Sequence, residues 1–301
     1  MKMSILLIAG WLVLAVLSIP LEAEAAEGVA AESGRLKIAT SIYPITMLAE
    51  EIGGDRVNVT TVMAPGADPH HFELTPSSAR AIHEADAVLI IGGDFDAWMM
   101  GGISRAEKTC TAFHDAFADS LIQLGSTFNP HFWLDPLFAR SMGGYICTTM
   151  AAIDSQNASY YEERLEGFRA RMDSLHAAIK ERIAESGLTS FVSFHPAWTY
   201  FARRYGLTEA GVVEKFPEYE PSARWVADLI RSIDGKHVHM MIVEETSDPG
   251  IVAGIVNDTG IDVVVLDPIG DPAVTGRDTY AGLMNHNVGL MERAARGTEK
   301  P

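Results

Sequence analysis

Short apolar runs alternate with amphipathic segments along both halves of the chain. In the first half the apolar runs lie at residues 36–41, 57–63 and 87–91, with helical patterns between them at 44–52 and 76–84. In the second half the rhythm repeats, with apolar runs at 191–194, 211–214, 238–243 and 263–266. Strands that alternate with helices are typical of βα units. The pattern predicts an α/β protein with two lobes, each containing a parallel sheet flanked by helices.

A segment of helical period separates the two halves. Its apolar residues recur at intervals of three and four, which places them on one face of a single helix. They are Tyr161, Leu165, Phe168, Met172, Leu175, Ile179 and Ile183. Asp154 or Asn157 is placed to cap the start of this helix, and Gly187 to end it. We therefore predict one long, rigid linker helix of about 45 Å that joins the lobes.

The N-terminal segment has the pattern of an export signal. Lys2 precedes an apolar run over residues 5–19, and small residues follow it. The run is shorter than the roughly twenty residues that a membrane-spanning helix needs. A lipoprotein carries a cysteine at its cleavage point, whereas the cysteines here are Cys110 and Cys147. We expect a cleaved signal peptide, a periplasmic protein and no lipid anchor.

Composition agrees with two exported domains of ordinary size. The chain has 301 residues, of which 48% are hydrophobic, and can bury a sizeable core. The predicted order is a signal peptide at 1–26, an N-terminal lobe at 34–153, the linker helix at 154–187 and a C-terminal lobe at 188–297. The net charge of -17 without a block of like charge disfavours nucleic acid as a partner and is compatible with a cation. Whether Cys110 and Cys147 form a disulfide is left open.

Four potential metal ligands each stand next to a proline: Pro69-His70, Pro130-His131, His195-Pro196 and Asp267-Pro268. Proline restricts its own backbone and that of the preceding residue, so these side chains have fewer states to lose when they bind an ion. Three imidazoles and one carboxylate suit zinc, and they also accept manganese or iron. The pattern suggests a metal site assembled from distant loops.

Three of these residues follow predicted strands. His70, His195 and Asp267 come after the strands at 57–63, 191–194 and 263–266, whereas His131 follows an irregular segment at 101–129. Ligands of parallel sheets gather at the carboxyl ends of the strands. Two ligands from each lobe would therefore hold the ion in the cleft between the lobes.

Neighbouring side chains leave alternatives open. His71 and Glu73 lie beside His70, and the sequence does not decide whether either joins the site. Glu214 and Glu244 end strands of the second lobe, and such carboxylates orient a histidine ring or replace Asp267 as a ligand. Aromatic side chains near the candidates are expected either to wall the cleft or to pack in the core. They are Trp98, Phe132, Trp133 and Trp198.

With these segments laid out, the chain resembles the solute-binding proteins of metal-ion ABC transporters, in the zinc and manganese group. The resemblance covers almost all of the mature chain. Its motifs are PGADPHHFE at 65–73, NPHFWLDP at 129–136, FHPAWTYFARRYGL at 194–207, LDPIG at 266–270 and TYAGLMNHN at 279–287. It implies His70, His131, His195 and Asp267 as the metal ligands, and two lobes joined by one long helix.

The resemblance implies a monomeric binding protein that delivers a divalent metal to an ABC permease in the inner membrane. A histidine at position 195 favours Zn²⁺, with Mn²⁺ possible. The chain departs from zinc members that carry a long histidine-rich loop, because residues 101–129 contain His114 alone, and Leu74 replaces the usual proline. Affinity is expected to fall below about pH 6.5, because imidazoles bind metals in the neutral form.

Three alternative functions remain. Two share the fold: a manganese or iron receptor, and a metal-dependent adhesin. The third is a zinc hydrolase, which is disfavoured because four protein ligands leave no position for a reactive water. The sequence also lacks the H-E-x-x-H motif of zinc proteases. We therefore expect a metal carrier and not an enzyme.

Overall fold

The computed structural model of the chain describes residues 34–69, 72–103, 109–215, 221–233 and 238–297. The predicted signal peptide at 1–26 lies outside these residues, as do His70 and His71. Over the described ranges, no helix combines the length and the apolar character that a membrane span requires.

The first lobe is built on a four-stranded parallel sheet. Its elements are β1 (Leu36–Thr40), α1 (Tyr43–Gly53), β2 (Val57–Thr61), α2 (Pro76–Glu84), β3 (Ala87–Ile90), β4 (Thr109–Ala112), α3 (Phe113–Phe117) and the antiparallel pair β5 (Gln123–Leu124) and β6 (Thr127–Phe128). The strand order is β2-β1-β3-β4. The first three strands lie where the hydrophobic pattern predicts them. Strand β4 lies in the segment predicted as irregular, because its short, partly exposed sequence TCTA carries no apolar run.

Two helices, α4 (Pro136–Ile153) and α5 (Ala158–Ser186), lie between the strands of the first lobe and those of the second along the chain. Helix α5 is the predicted long helix, and all of its predicted apolar residues are buried. It ends as predicted, because Gly187 has a φ of 75°, in the left-handed region that favours glycine. Its start differs from the prediction, since the N-cap residue Asn157 makes no side-chain capping bond within the described part of the chain. Instead, Asp154 Oδ2 accepts hydrogen bonds of 2.7 Å from both Asn157 Nδ2 and the Tyr161 hydroxyl.

The second lobe is built on another four-stranded parallel sheet. Its elements are β7 (Ser190–Ser193), α6 (Thr199–Tyr205), β8 (Thr208–Val212), α7 (Ala223–Ile233), β9 (Met241–Val243), α8 (Pro249–Thr259), β10 (Val263–Val265) and α9 (Tyr280–Ala295). The strand order is β10-β9-β7-β8. Strand β8 begins at Thr208, before the predicted 211–214. The hydrophobic pattern missed this start because Thr208 and Glu209 are polar. Strand β9 is shorter than the predicted 238–243. The predicted α/β class with two parallel sheets and a long joining helix is confirmed.

One hydrophobic core extends through both lobes. It includes Ile38 and Leu89 of the first sheet, Phe168 of α5, and Phe191 and Ile242 of the second sheet. A smaller cluster lies on the other face of the second sheet, between it and helices α7 and α8. Because close-packed cores resist deformation, the shared core fixes the position of one lobe against the other. The cleft between them is therefore shaped by apolar packing as well as by the linker helix.

Candidate metal centre

A cavity of about 280 Å³ lies at the carboxyl ends of strands from both sheets. The first lobe contributes the loop 66–69 after β2 and His131, which begins a 3₁₀ turn at His131–Leu134. In the second lobe, the residues that follow all four strands reach the cavity. They are Phe194 and His195 after β7, Glu214 after β8, residues 244–247 after β9, and residues 266–271 with Arg277 after β10.

His195 and Glu244 lie where parallel sheets commonly bind ligands. In the second sheet the chain moves outward in opposite directions from the neighbouring strands β7 and β9. Ligands bind in the crevice at such a switch point. His195 follows β7 and Glu244 follows β9, so both side chains are placed at this crevice.

His131 and His195 face each other across the cavity. Their Nε2 atoms are 3.1 Å apart, although the residues are 64 positions apart in sequence. His131 is buried and His195 is half-buried. Two imidazole nitrogens bound to one tetrahedral zinc at about 2.0–2.1 Å would be about 3.3 Å apart. The observed spacing therefore matches two ligands of a single ion.

Asn129 orients His131 from behind. Its Oδ1 accepts hydrogen bonds of 2.9 Å from the His131 backbone N–H and from Nδ1 of the ring. With the Nδ1 proton held by a carbonyl-type oxygen, Nε2 of a neutral ring is left with a lone pair that points at the cavity. Asn129 Nδ2 donates to the carbonyl of Pro196 at 2.7 Å. One fully buried amide thus joins the two segments that carry the histidines.

The carbonyls of the prolines beside the candidate ligands serve as anchor points. Pro69 O accepts from Trp98 Nε1 at 3.2 Å, and Pro268 O accepts from Trp133 Nε1 at 2.8 Å. The Tyr280 hydroxyl donates in turn to the Trp133 carbonyl at 2.7 Å. These bonds hold the segments with His131 and Asp267 together across the lobes.

The aromatic residues near the ligands pack in the core and do not wall the cleft. Trp133, Trp198 and Phe132 are fully buried and are not among the residues that line the cavity. Two of the tryptophans act through their ring N–H, since Trp98 and Trp133 hold proline carbonyls. The sequence gives no sign of this role.

Asp267 lines the same cavity but already has partners. Its Oδ1 accepts from the backbone N–H groups of Ile269 and Gly270 at 2.9 and 2.8 Å. Its Oδ2 accepts from Arg277 Nη1 at 2.8 Å. Asn287 of α9 fixes the backbone, because its Oδ1 accepts from Asp267 N and its Nδ2 donates to Asp267 O. The carboxylate is thus held in place, with a cation on one of its oxygens.

The structure brings together three of the four predicted ligands, because His131, His195 and Asp267 line one cavity with Asp68 and Pro69. The fourth, His70, lies just beyond the described Pro69. No group of three or more histidine, cysteine, aspartate or glutamate side chains in the described ranges is arranged to hold an ion. The part of the centre already formed is therefore the His131–His195 pair.

Carboxylates dominate the wall of the cavity. Its described lining includes Asp68, Glu214, Glu244, Glu245, Asp267 and Asp271, against a single arginine, Arg277. Glu73 is exposed and is not among these lining residues. Burial above all, with a smaller contribution from the nearby charges of Glu209 and Glu214, raises the pKa of Glu244 to about 8. Such a surface attracts cations and repels anions.

The sequence did not indicate three residues that shape the site. In the sequence, Asn129 stands out only as part of the Asn-Pro-His motif, and Arg277 only as a charged residue near Asp267. Glu209 is buried between Ser193 Oγ and Thr199 Oγ1, which donate to it at 2.5 and 2.7 Å. Burial raises its pKa. The two cysteines are free, with Cys110 exposed and Cys147 buried.

Comparison with known proteins identifies the family. The family model described as zinc-uptake complex component A, periplasmic, matches residues 38–294. The chain is 24% identical over 276 residues to the zinc-binding lipoprotein AdcA of Streptococcus pneumoniae, which covers 86% of this chain and 54% of that protein. The chain thus spans about half the length of the AdcA relatives that it matches.

Two further matches extend over nearly the whole of the matched proteins. The manganese-binding lipoprotein MntA of Halalkalibacterium halodurans is 24% identical over 268 residues, covering 87% of this chain and 89% of MntA. A crystal structure of ZnuA has a TM-score of 0.76 at 26% identity, covering 87% of this chain and 99% of that one. Since the family match covers most of the sequence, this chain belongs to the family of periplasmic A components of zinc-uptake complexes, the metal-binding proteins of ABC transporters, which are not enzymes.

Proposed function

We propose that the protein binds one divalent metal ion in the cleft, zinc in preference to manganese, and delivers it to an ABC permease of the inner membrane. The ligands would be His70, His131, His195 and Asp267. The observation that carries the proposal is the 3.1 Å separation of the His131 and His195 Nε2 atoms, which fits two ligands of one ion. The acidic wall of the cavity supports a cation as cargo.

Imidazole ligands favour zinc. Nitrogen donors suit zinc better than manganese, which prefers oxygen ligands. The similarity to the zinc-binding AdcA supports this preference, whereas the similarity to the manganese-binding MntA favours manganese as the second candidate. Competition between the two metals at buffered free-ion concentrations separates these possibilities.

The remaining parts of the proposal concern export and architecture. A signal peptide at 1–26 would direct a monomer to the periplasm, with lobes at 34–153 and 188–297 and a linker at 154–187. We expect only small movements of the lobes on metal release. The shared core and the ion pair of Asp135 with Arg204 of α6, at 2.8 Å, both resist wide opening.

Calorimetry with the metal-free mature protein tests the proposal. We expect one zinc ion per chain, with affinity reduced by at least about 100-fold in His131→Ala and in His195→Ala, more than the loss of an outer partner costs. His70→Ala and Asp267→Ala test the other two ligands. His286→Ala is the matched control, because His286 is exposed on α9. Unchanged zinc affinity in both His131→Ala and His195→Ala would refute the site.

A further inference from the structure

Two glutamates flank His195 at the carboxyl edge of the second sheet. The backbone N–H of Glu214 donates to Phe194 O at 2.7 Å, and Phe194 N–H donates to Ile242 O at 2.7 Å. These bonds continue the pairing of Ser193 with its two neighbouring strands by two residues. His195 therefore lies level with Glu214 on one side and with Glu244 on the other, at strand spacings of about 4.8 Å.

Both glutamates share the face of the sheet that His195 uses. Phe194 and Val243 pack in the core cluster on the opposite face, so their successors His195 and Glu244 point toward the cavity. Val213 belongs to that same cluster, which places Glu214 on the His195 side. The cavity lining includes all three of these side chains.

A bulge in β8 adds Glu209 to this face. Phe191 pairs with Glu209, but Val192 pairs with Gly211, so one extra residue interrupts the alternation. Without this extra residue, Glu209 and Glu214 would lie on opposite faces, because they are five positions apart. The Ser193 and Thr199 hydroxyls satisfy Glu209. It is thus a buried carboxyl group with a hydrogen bond on each oxygen, and not a free ligand.

Glu244 has an oxygen to which no described residue donates a hydrogen bond. The residue is 8% exposed, and its Oε1 is buried with no hydrogen-bond partner among the described residues. Its other oxygen, Oε2, accepts a long hydrogen bond of 3.4 Å from Ser247 Oγ. A buried carboxyl oxygen without a partner is costly, and a cation bound to it would remove that cost.

We propose that Glu214 and Glu244 form a second divalent-cation subsite in the cavity, built from oxygen ligands and adjacent to His195. The inference rests on the proposed function only in that the proposed zinc site at His131 and His195, here called the cargo site, is its neighbour. Carboxylate oxygens select a hard cation, so this subsite would take manganese more readily than zinc. It would let the cleft hold a second ion beside the imidazole site.

Titration of zinc-loaded protein with manganese tests the subsite. The mature protein receives one equivalent of zinc in 150 mM salt, and the electron paramagnetic resonance signal of free Mn²⁺ is followed as manganese is added. A zinc-sensitive dye reports any zinc that manganese displaces. We expect one further manganese per chain without zinc release, and binding at least tenfold weaker in Glu244→Gln and in Glu214→Gln. Glu181→Gln is the control, because it removes an exposed charge on α5 outside the cavity.

The outcomes separate the subsite from the cargo site. Equal manganese binding by wild type, Glu244→Gln and Glu181→Gln would overturn the subsite, since the general acidity of the chain would then account for the binding. Manganese uptake that releases an equal amount of zinc would also overturn it. His131→Ala should lose the zinc ion and retain the manganese equivalent, so that failure of the cargo site is visible separately. Circular dichroism spectra check that each variant is folded.

Discussion

The imidazole half and the carboxylate half of the cavity differ in whether their candidate ligand atoms already have a charged partner. His131 and His195 point their Nε2 atoms at each other at 3.1 Å, and Asn129 holds His131 from behind. Asp267 has donors on both oxygens, one of them the cation Arg277. An ion can enter the imidazole half without displacing a charged partner, whereas at Asp267 it must share or displace one. We expect affinity to arise mainly from the histidines.

Among changes that leave the four proposed ligands in place, removal of Asn129 should weaken zinc binding most. In Asn129→Ala the His131 ring loses its Nδ1 partner, and the link to Pro196 is lost. Zinc affinity should fall about 10- to 100-fold, as is typical for an outer partner of a ligand. Unfolding free energy should fall by roughly 1–3 kcal/mol, because buried groups lose their partners.

Calorimetry and urea unfolding measure these two quantities. Asn58→Ala is the control, since Asn58 is exposed on β2. An Asn129→Ala variant that binds zinc as tightly as wild type would show that the imidazoles need no such support.

On the carboxylate side of the cavity, the pH dependence of stability tests the burial of Glu244. Glu244 has a pKa near 8 when folded, above its ordinary value of 4.5, because it is buried. The folded state therefore binds more protons than the unfolded state above pH 4.5. The stability associated with the protonated group is complete below that pH and is lost as the pH rises through about 8.

Glu244→Gln should therefore become more stable than wild type as the pH rises. From pH 5.5 to pH 9, the difference in unfolding free energy should move in favour of the variant by on the order of 2–4 kcal/mol. Urea unfolding in the presence of a chelator measures it, with Glu181→Gln as the control. A difference that is constant with pH would contradict the buried, protonated state of Glu244.

Arg277 is expected to have the smallest effect. In Arg277→Met the Asp267 carboxylate loses its cation while half-buried, which should destabilise the metal-free protein by about 1 kcal/mol. Zinc should then raise the thermal midpoint more in the variant than in wild type, because the metal replaces the missing cation. Thermal unfolding with and without zinc tests this. Arg231→Met is the control, since Arg231 pairs with Asp228 on the surface of α7.

The sequence pattern identifies the candidate ligands but not the residues that orient them. Proline neighbours and strand ends single out His131, His195 and Asp267, and the structure places all three on one cavity. The ligand role of these residues and of His70 stays a prediction. The orienting role of Asn129 depends on a bond to Pro196, 67 residues away, and no local pattern encodes such a contact.

Hydrophobic periodicity along the chain accounts for the α/β alternation, the buried face of the long helix, and the approximate limits of β1, β2, β3, β7 and β10. These features follow from local periodicity, which the backbone geometry of strands and helices imposes on neighbouring residues. Only contacts between distant segments bring His131 to His195 and Arg277 to an oxygen of Asp267, and only the bulge in β8 places Glu209 and Glu214 on one face of the sheet. Those outcomes depend on strand register and on contacts between distant segments, and a shift of one residue in register reverses which face a side chain takes.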